Sequence, residues 1–167
     1  VAHRGFAVAV DEEKQEIYLS VNNPPQMAVY RKSASGEEKP LRVLRGEHTR
    51  LADAHGIAID LKNGLLFVNN WGSFTTEGTV SGGRSGAPSI NIYAIDAKGD
   101  AAPIRVIQGP NTDLNWPGTM AIDPDTGDLY VANDGGQSLL VFRGATDNGD
   151  VIPARVVKGN KTGLNYP

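Results

Sequence analysis

The side chains of this chain best suited to chemistry are three histidines, His3, His48 and His55, because an imidazole can ligate a metal or carry a proton near neutral pH. They stand at different positions of a repeating pattern, which favours separate surface histidines over one shared metal site. Asp11, Asp60 and Asp123 each open a turn, where an Asx side chain accepts backbone N–H bonds, so capping rather than catalysis is expected of them. Arginine recurs in a Pro-x-Arg-Val string, as Arg42, Arg105 and Arg155. Its expected role is to lay its stem on a sheet and pair its head with a neighbouring loop, with ligand binding as the alternative. No Ser/His/Asp order, phosphate-cradling Gly loop or close acid pair stands out, so no catalytic residue is named.

The elements that carry these residues are short strands. From Gly118 to Gly159 the apolar runs 120–123, 129–132, 139–142 and 154–157 are separated by Asn, Asp, Gly and Pro, and they are too short for helices that must pack a face. Four consecutive runs with short links make an antiparallel meander. The same pattern occurs twice upstream. Asp11 with Ile17 and Asp60 with Leu66 match Asp123 with Leu129, and Tyr30, Tyr93 and Phe142 end the third run of each copy. A period of about 50 residues with one localised insertion, at residues 75–88, identifies a repeat array.

Four-stranded antiparallel repeats of this length are the signature of propeller blades. The stretch from Gly56 to Asn69, GIAIDLKNGLLFVN, and more loosely Thr119 to Ala132, resembles the NHL-repeat and related six-bladed β-propellers of bacterial secreted or periplasmic proteins. The resemblance covers the whole chain. It implies an all-β fold of three four-stranded antiparallel blades, half of a six-bladed propeller, at about 5–52, 53–116 and 117–167. It also implies a periplasmic or extracellular location. Such propellers serve as ligand binders, interaction platforms or metal-dependent lactonases. The lactonases hold a divalent cation with Glu, Asn and Asp side chains; Asn70 and Asn133, equivalent at the end of strand two, match the Asn component. No Glu sits at a first-strand entrance, so no cofactor is expected beyond that possible cation.

Composition narrows the partners. Sixteen basic against 19 acidic residues leave a net charge of −3 with no Lys/Arg run, which argues against nucleic acid. No apolar stretch approaches the roughly 20 residues of a membrane span, and Val1 opens no signal-peptide pattern. Because the chain begins within the pattern, a removed leader is compatible with export. With no cysteine, disulfides and thiolate zinc sites are excluded.

In a four-stranded blade, the loops from strand two to three and from strand four to the next blade emerge at the same end. That end collects all three histidines, both tryptophans and the Gly- and Ser-rich insertion. The expected partner-binding residues are Asn22, His55, Asn70, Trp71, Phe74, Arg84, Trp116, Asn133 and Asp134. Trp116 before Pro117, echoed by Tyr166 before Pro167, reads as a plug packed between blades. The expected function is a non-enzymatic platform for a protein or carbohydrate. The alternatives are a lactonase-type hydrolase and a structural subunit of a larger extracellular assembly. Three blades leave two blade faces bare, carrying residues such as Ile57, Ile59, Val106 and Val141, so a second copy of the chain or further blades must close the ring.

Overall fold

The computed structural model describes residues 5–72, 86–165 and 167. Among the described residues, twelve strands form three four-stranded antiparallel sheets. The first holds β1 (Gly5–Asp11), β2 (Glu16–Asn22), β3 (Pro25–Arg31) and β4 (Arg42–Leu44) in chain order. The second holds β5 (Ala54–Asp60), β6 (Leu65–Asn70), β7 (Ser89–Ala94) and β8 (Arg105–Ile107). The third holds β9 (Pro117–Ile122), β10 (Asp128–Asn133), β11 (Ser138–Arg143) and β12 (Arg155–Lys158). Among the described residues no helix is long and apolar enough to cross a membrane. The chain is three blades of a β-propeller.

Each blade's hairpins turn where the sequence places Asp. Asp11 Oδ1 accepts the N–H groups of Glu13 and Lys14, Asp60 Oδ1 that of Asn63, and Asp123 Oδ1 those of Asp125 and Thr126. All three are the turn caps that the sequence predicts. The outer strands are short and preceded by proline, which limits edge-to-edge pairing.

Blades stack face to face, and the faces are apolar. Tyr18, Met27, Val29 and Leu44 of the first blade pack on Ile57, Leu66, Val68 and Tyr93 of the second. The opposite face of the second blade, with Ala58, Phe67, Ile90, Ile92 and Ile107, packs on Leu129, Val131, Leu140 and Phe142 of the third. Ile57, expected on a bare face, is therefore covered, at 5% exposure. The bare faces lie at the two ends of the stack. Val8 and Val10 on the first blade are 63% and 42% exposed, and Val157 on the third is 45% exposed.

Two connections recur at both junctions. Near the inner strands, Ser20 Oγ accepts from the Ala7 N–H and donates to the His55 carbonyl of the next blade. Asn69 occupies the same register, accepting from Gly56 N–H and donating to the Gly118 carbonyl. At the rim, the loop before each outer strand clasps the blade behind it. Gly99 N–H donates to the Val43 carbonyl at 2.7 Å, Arg45 N–H donates back to Gly99 at 2.8 Å, and His48 N–H donates to Asp100 Oδ1 at 2.7 Å. One blade on, Gly149 N–H donates to Val106 at 2.7 Å, Gln108 N–H to Gly149 at 3.1 Å, and Asn111 N–H to Asp150 Oδ1 at 2.7 Å. Gly46 and Gly109 are required there, because a Cβ on either would overlap the carboxylate of Asp100 or Asp150.

The repeated arginine divides between two tasks. Arg42 forks both oxygens of Glu16 at 2.8 Å, donates to Tyr18 Oη, and reaches the Ile95 carbonyl of the next blade at 3.4 Å. Arg105, whose own blade has Leu65 where the first has Glu16, donates instead to the carbonyls of Gly144 and Asp147 in the next blade. Arg155 stays with Asp128 and Tyr130 of its own blade. No ligand role is needed to explain these heads.

Candidate functional site

The inner strands enter the sheets through bulges, with register shifts between Gly5 and Val8, between Ala54 and Ile57, and between the partners of Val131 and Asn133. A bulge bends the strand and re-aims its side chains. Phe6 and His55 sit at equivalent points of the first two bulges. Their rings stack across the blade boundary, with centroids 4.0 Å apart and planes 29° from parallel.

The stack continues. His55 lies on Trp71 at 3.9 Å and 15°, and Trp71 lies beside Trp116 at 5.3 Å and 13°. Phe6, His55, Trp71 and Trp116 thus form one row that runs from the first blade across the second to its junction with the third. Phe6 is 47% exposed and Trp116 36%, while His55 and Trp71 between them are partly buried. The row is held from beneath. Trp71 Nε1 donates to the Pro117 carbonyl at 2.9 Å, and Trp71 N–H to the Asp53 carbonyl at 3.2 Å. Asp53 Oδ1 accepts from Asn22 Nδ2 at 3.0 Å and lies 3.1 Å from His55 Nε2. Asp53 and Trp116 occupy the same point of successive junctions, and both adopt left-handed backbone, with φ of 57° and 53°. For non-glycine residues that conformation costs on the order of 1–3 kcal/mol and persists where the surroundings enforce it. Trp116 is therefore not the plug between blades expected from its place before Pro117; its ring stands at the end of the stack and stays accessible.

The sequence-predicted residues separate into three groups. Asn22, His55, Trp71 and Trp116 come together in the row and its support. Asn70, Asn133 and Asp134 do not join it. Asn70 Oδ1 accepts from Ala52 N–H at 2.9 Å and its amide donates to Ser89 Oγ, while Asn133 Oδ1 accepts from Asn115 N–H at 2.7 Å and its amide donates to Asp113 and Ser138. Both amides are consumed in fastening junction segments to strand ends, and both residues are buried. Asp134 N–H donates to the Trp116 carbonyl at 3.1 Å, a bond between backbones. Phe74 and Arg84 lie outside the described residues, as do His3 and Tyr166. Phe6 is absent from the predicted set, although it shares its repeat position with His55.

The remaining histidine stands apart. His48 Nδ1 lies 2.6 Å from Asp100 Oδ2, and that carboxylate holds the imidazole above its ordinary pKa of 6.5. A raised folded-state value means that the pair's contribution to stability is full below that ordinary pKa and is lost as pH rises through the folded one. Among the described residues no group of three or more His, Cys, Asp or Glu is placed to hold a metal ion. Beside the row, a cleft of about 400 Å³ is lined by Arg50, Ala52, Asn70, Gly72, Gly86 and Gln108. Gly72 and Gly86 lie close together, since a Cβ on Gly72 would overlap the Gly86 carbonyl.

No family model matches the sequence, and no curated protein matches it. Solved structures match in fold. A chain from the crystal structure of a nidogen/laminin complex aligns with 99% of this chain and 67% of its own length, at 16% identity and a TM-score of 0.54. The C-terminal WD40 domain of Sif2 aligns with 94% of this chain at 14% identity and a TM-score of 0.45, and this chain spans 47% of that domain. At these identities the likeness is one of architecture.

Proposed function

We propose that the chain is a binding platform of the six-bladed NHL-repeat type, exported from a bacterial cell, which seats a protein partner on the end that carries the aromatic row. The observation that supports it is the row itself. Four stacked rings with both ends exposed give a rigid, largely apolar strip, flanked by a cleft. Aromatic anchors of this kind dominate protein interfaces, and their rigidity keeps the entropic cost of binding low. A carbohydrate is the second partner class, favoured by the exposed Phe6 ring, which offers a flat apolar surface to a sugar.

The lactonase-type alternative asks more of the chain. Asn70 and Asn133 would have to withdraw their oxygens from the Ala52 and Asn115 N–H groups to face a cation.

The test is an array of extracellular proteins and polysaccharides probed with the 167-residue chain. For any ligand bound, Phe6→Ala with Trp116→Ala is expected to weaken affinity by roughly thirtyfold or more, the loss of about 2 kcal/mol that a central aromatic anchor typically carries. Ile152→Ser, at a side chain 76% exposed and outside the row, serves as the control and should leave affinity unchanged. Ligands that survive the double substitution overturn the assignment of this end.

A further inference from the structure

The cleft beside the aromatic row is bordered by a turn that recurs three times in the chain. Thr49 Oγ1 donates to the Gly46 carbonyl and accepts from Leu51 N–H. Thr112 does the same with Gly109 and Leu114, and Thr162 with Gly159 and Leu164. The residue between Thr and Leu takes left-handed backbone each time, with φ of 56° at Arg50, 56° at Asp113 and 71° at Gly163. Glycine adopts that conformation freely and Asp tolerates it, whereas a long side chain there is strained. Arg50 is therefore the disfavoured choice, and the turn, which forms equally well around Asp113 and Gly163, gives no reason for it.

The guanidinium is held in place at the cleft. Arg50 Nη2 donates to Gln108 Oε1 at 2.9 Å, and Gln108 Nε2 donates to the Ala87 carbonyl at 3.0 Å. The backbone beneath is fixed by two buried side chains: the Asn91 amide donates to the Arg50 carbonyl at 2.9 Å, and Tyr93 Oη to the Thr49 carbonyl at 2.5 Å. Gln108 takes one of the guanidinium's five N–H donors, and no other described residue takes a second. The other polar side chains in the wall are occupied, since the Asn70 amide donates to Ser89 Oγ and that hydroxyl to Asn91 Oδ1. At about 400 Å³ the cleft has the ordinary volume of a ligand site. It shares a wall with the row: Gly72 N–H donates to the Ala52 carbonyl and Trp71 N–H to the Asp53 carbonyl, both at 3.2 Å.

We propose that Arg50 anchors a carboxylate, and that the partner seated on the row is a peptide segment carrying an Asp or Glu side chain beside an apolar one. This rests on the reading of the row as the partner's seat. A planar guanidinium pinned at one nitrogen is pre-organised for a carboxylate, which it meets with charge-assisted bonds. Glu47 borders the same cleft, so a single carboxylate is accepted and a run of them repelled. That favours a peptide over an acidic polysaccharide, whose carboxylates repeat. Asp113, at the same point of the next junction, would repel the ligand that Arg50 attracts.

A random heptapeptide library displayed on phage and selected on the immobilised 167-residue chain, at low ionic strength, tests this. The selected peptides are expected to carry Asp or Glu next to an apolar residue, and replacing that acid by its amide should weaken binding tenfold or more in calorimetry. Arg50→Gln should weaken the acidic peptide by the same factor and bind it and its amide twin equally, which loss of a merely structural arginine would not do. Arg50→Gly, which suits the left-handed turn, should lose the same discrimination while keeping or raising the midpoint of thermal unfolding. A selection without carboxylate-dependent peptides overturns the proposal, as do peptides that Arg50→Gln still sorts by charge. Arg50-dependent binding of polygalacturonate in their place overturns it too. Phe6→Ala with Trp116→Ala separates the anchor from the row. An acidic peptide released by Arg50→Gln but kept by the double variant leaves the anchor standing and removes the row as the seat; the reverse overturns the anchor alone.

Discussion

Replacing Phe67 by Ala is expected to cost about 3–5 kcal/mol, enough to lower the midpoint of thermal unfolding by roughly 10 °C. Phe67 is fully buried at the centre of the face between the second and third blades. The third blade makes room for it with Gly144, where a Cβ would stand 3.2 Å from Phe67 Cζ and 2.9 Å from both the Gly127 carbonyl and Ile122 Cδ1. A hole left there cannot be filled by one side chain moving, because the walls belong to two sheets held at fixed separation by hydrogen-bonded connections at both ends. Ile152→Ala, outside the strands and at 76% exposure, should change stability by about 0.5 kcal/mol or less in the same melt. A loss below about 1 kcal/mol for Phe67→Ala would contradict the stacking of these blades.

Arg42→Ala is the second large effect, about 3–5 kcal/mol at neutral pH, because it strands a buried carboxylate. The Glu16 and Arg42 side chains are only 13% and 14% exposed, and the guanidinium satisfies both carboxylate oxygens. Its hydrogen bonds hold the Glu16 carboxyl below the ordinary value of 4.5 against the opposing pull of burial. A lowered folded-state pKa means that the ion pair contributes fully above the unfolded value and is lost as pH falls through the folded one. Without Arg42 burial becomes the largest influence on Glu16, opposed only by the Tyr18 hydroxyl and Lys14, and its pull is upward. The variant's deficit should be largest at neutral pH and shrink as acid neutralises Glu16. Adding Glu16→Gln should recover much of the loss, because a neutral amide costs less to bury than an unpaired charge. Denaturant titrations of the single and double variants at pH 7 and pH 4 measure all of this. A pH-independent deficit that Glu16→Gln leaves untouched would show that packing of the arginine stem, rather than its charge, is what the first blade needs.

How far the chain could be read from its residues depends on whether a feature repeats. The strands were legible because alternating apolar runs and Asp- or Gly-marked turns recur three times, and Asp11, Asp60 and Asp123 cap their turns as their type and place dictate. The aromatic row was not, because it joins unlike positions: a bulge residue in two blades, the end of strand two in one, and a junction in another. Only the stacking of blades brings Phe6, His55, Trp71 and Trp116 into line. Asn70 and Asn133 misled for the opposite reason. Their equivalence signals a task shared by the second and third blades, which is fastening the junction segment, whereas a binding site draws on what differs between blades. The clasp was present as a repeated Gly-acid pair ahead of each Pro-x-Arg-Val string. Its meaning needed the partner strand, because the carboxylate accepts from a backbone N–H about 40 to 50 residues away, as in His48 with Asp100 and Asn111 with Asp150.

The tryptophans make the binding end directly observable. Trp71 and Trp116 are the chain's two tryptophans, and both stand in the row, so intrinsic emission reports on this end. The measurement is a fluorescence titration of the 167-residue chain with a ligand identified on the array. A partner seated on the row should shift or quench the emission saturably, with the midpoint of independently measured binding, and Phe6→Ala should move both midpoints together. Tight binding that leaves the emission of both tryptophans unchanged would contradict the row as the binding surface and place the partner elsewhere on the propeller.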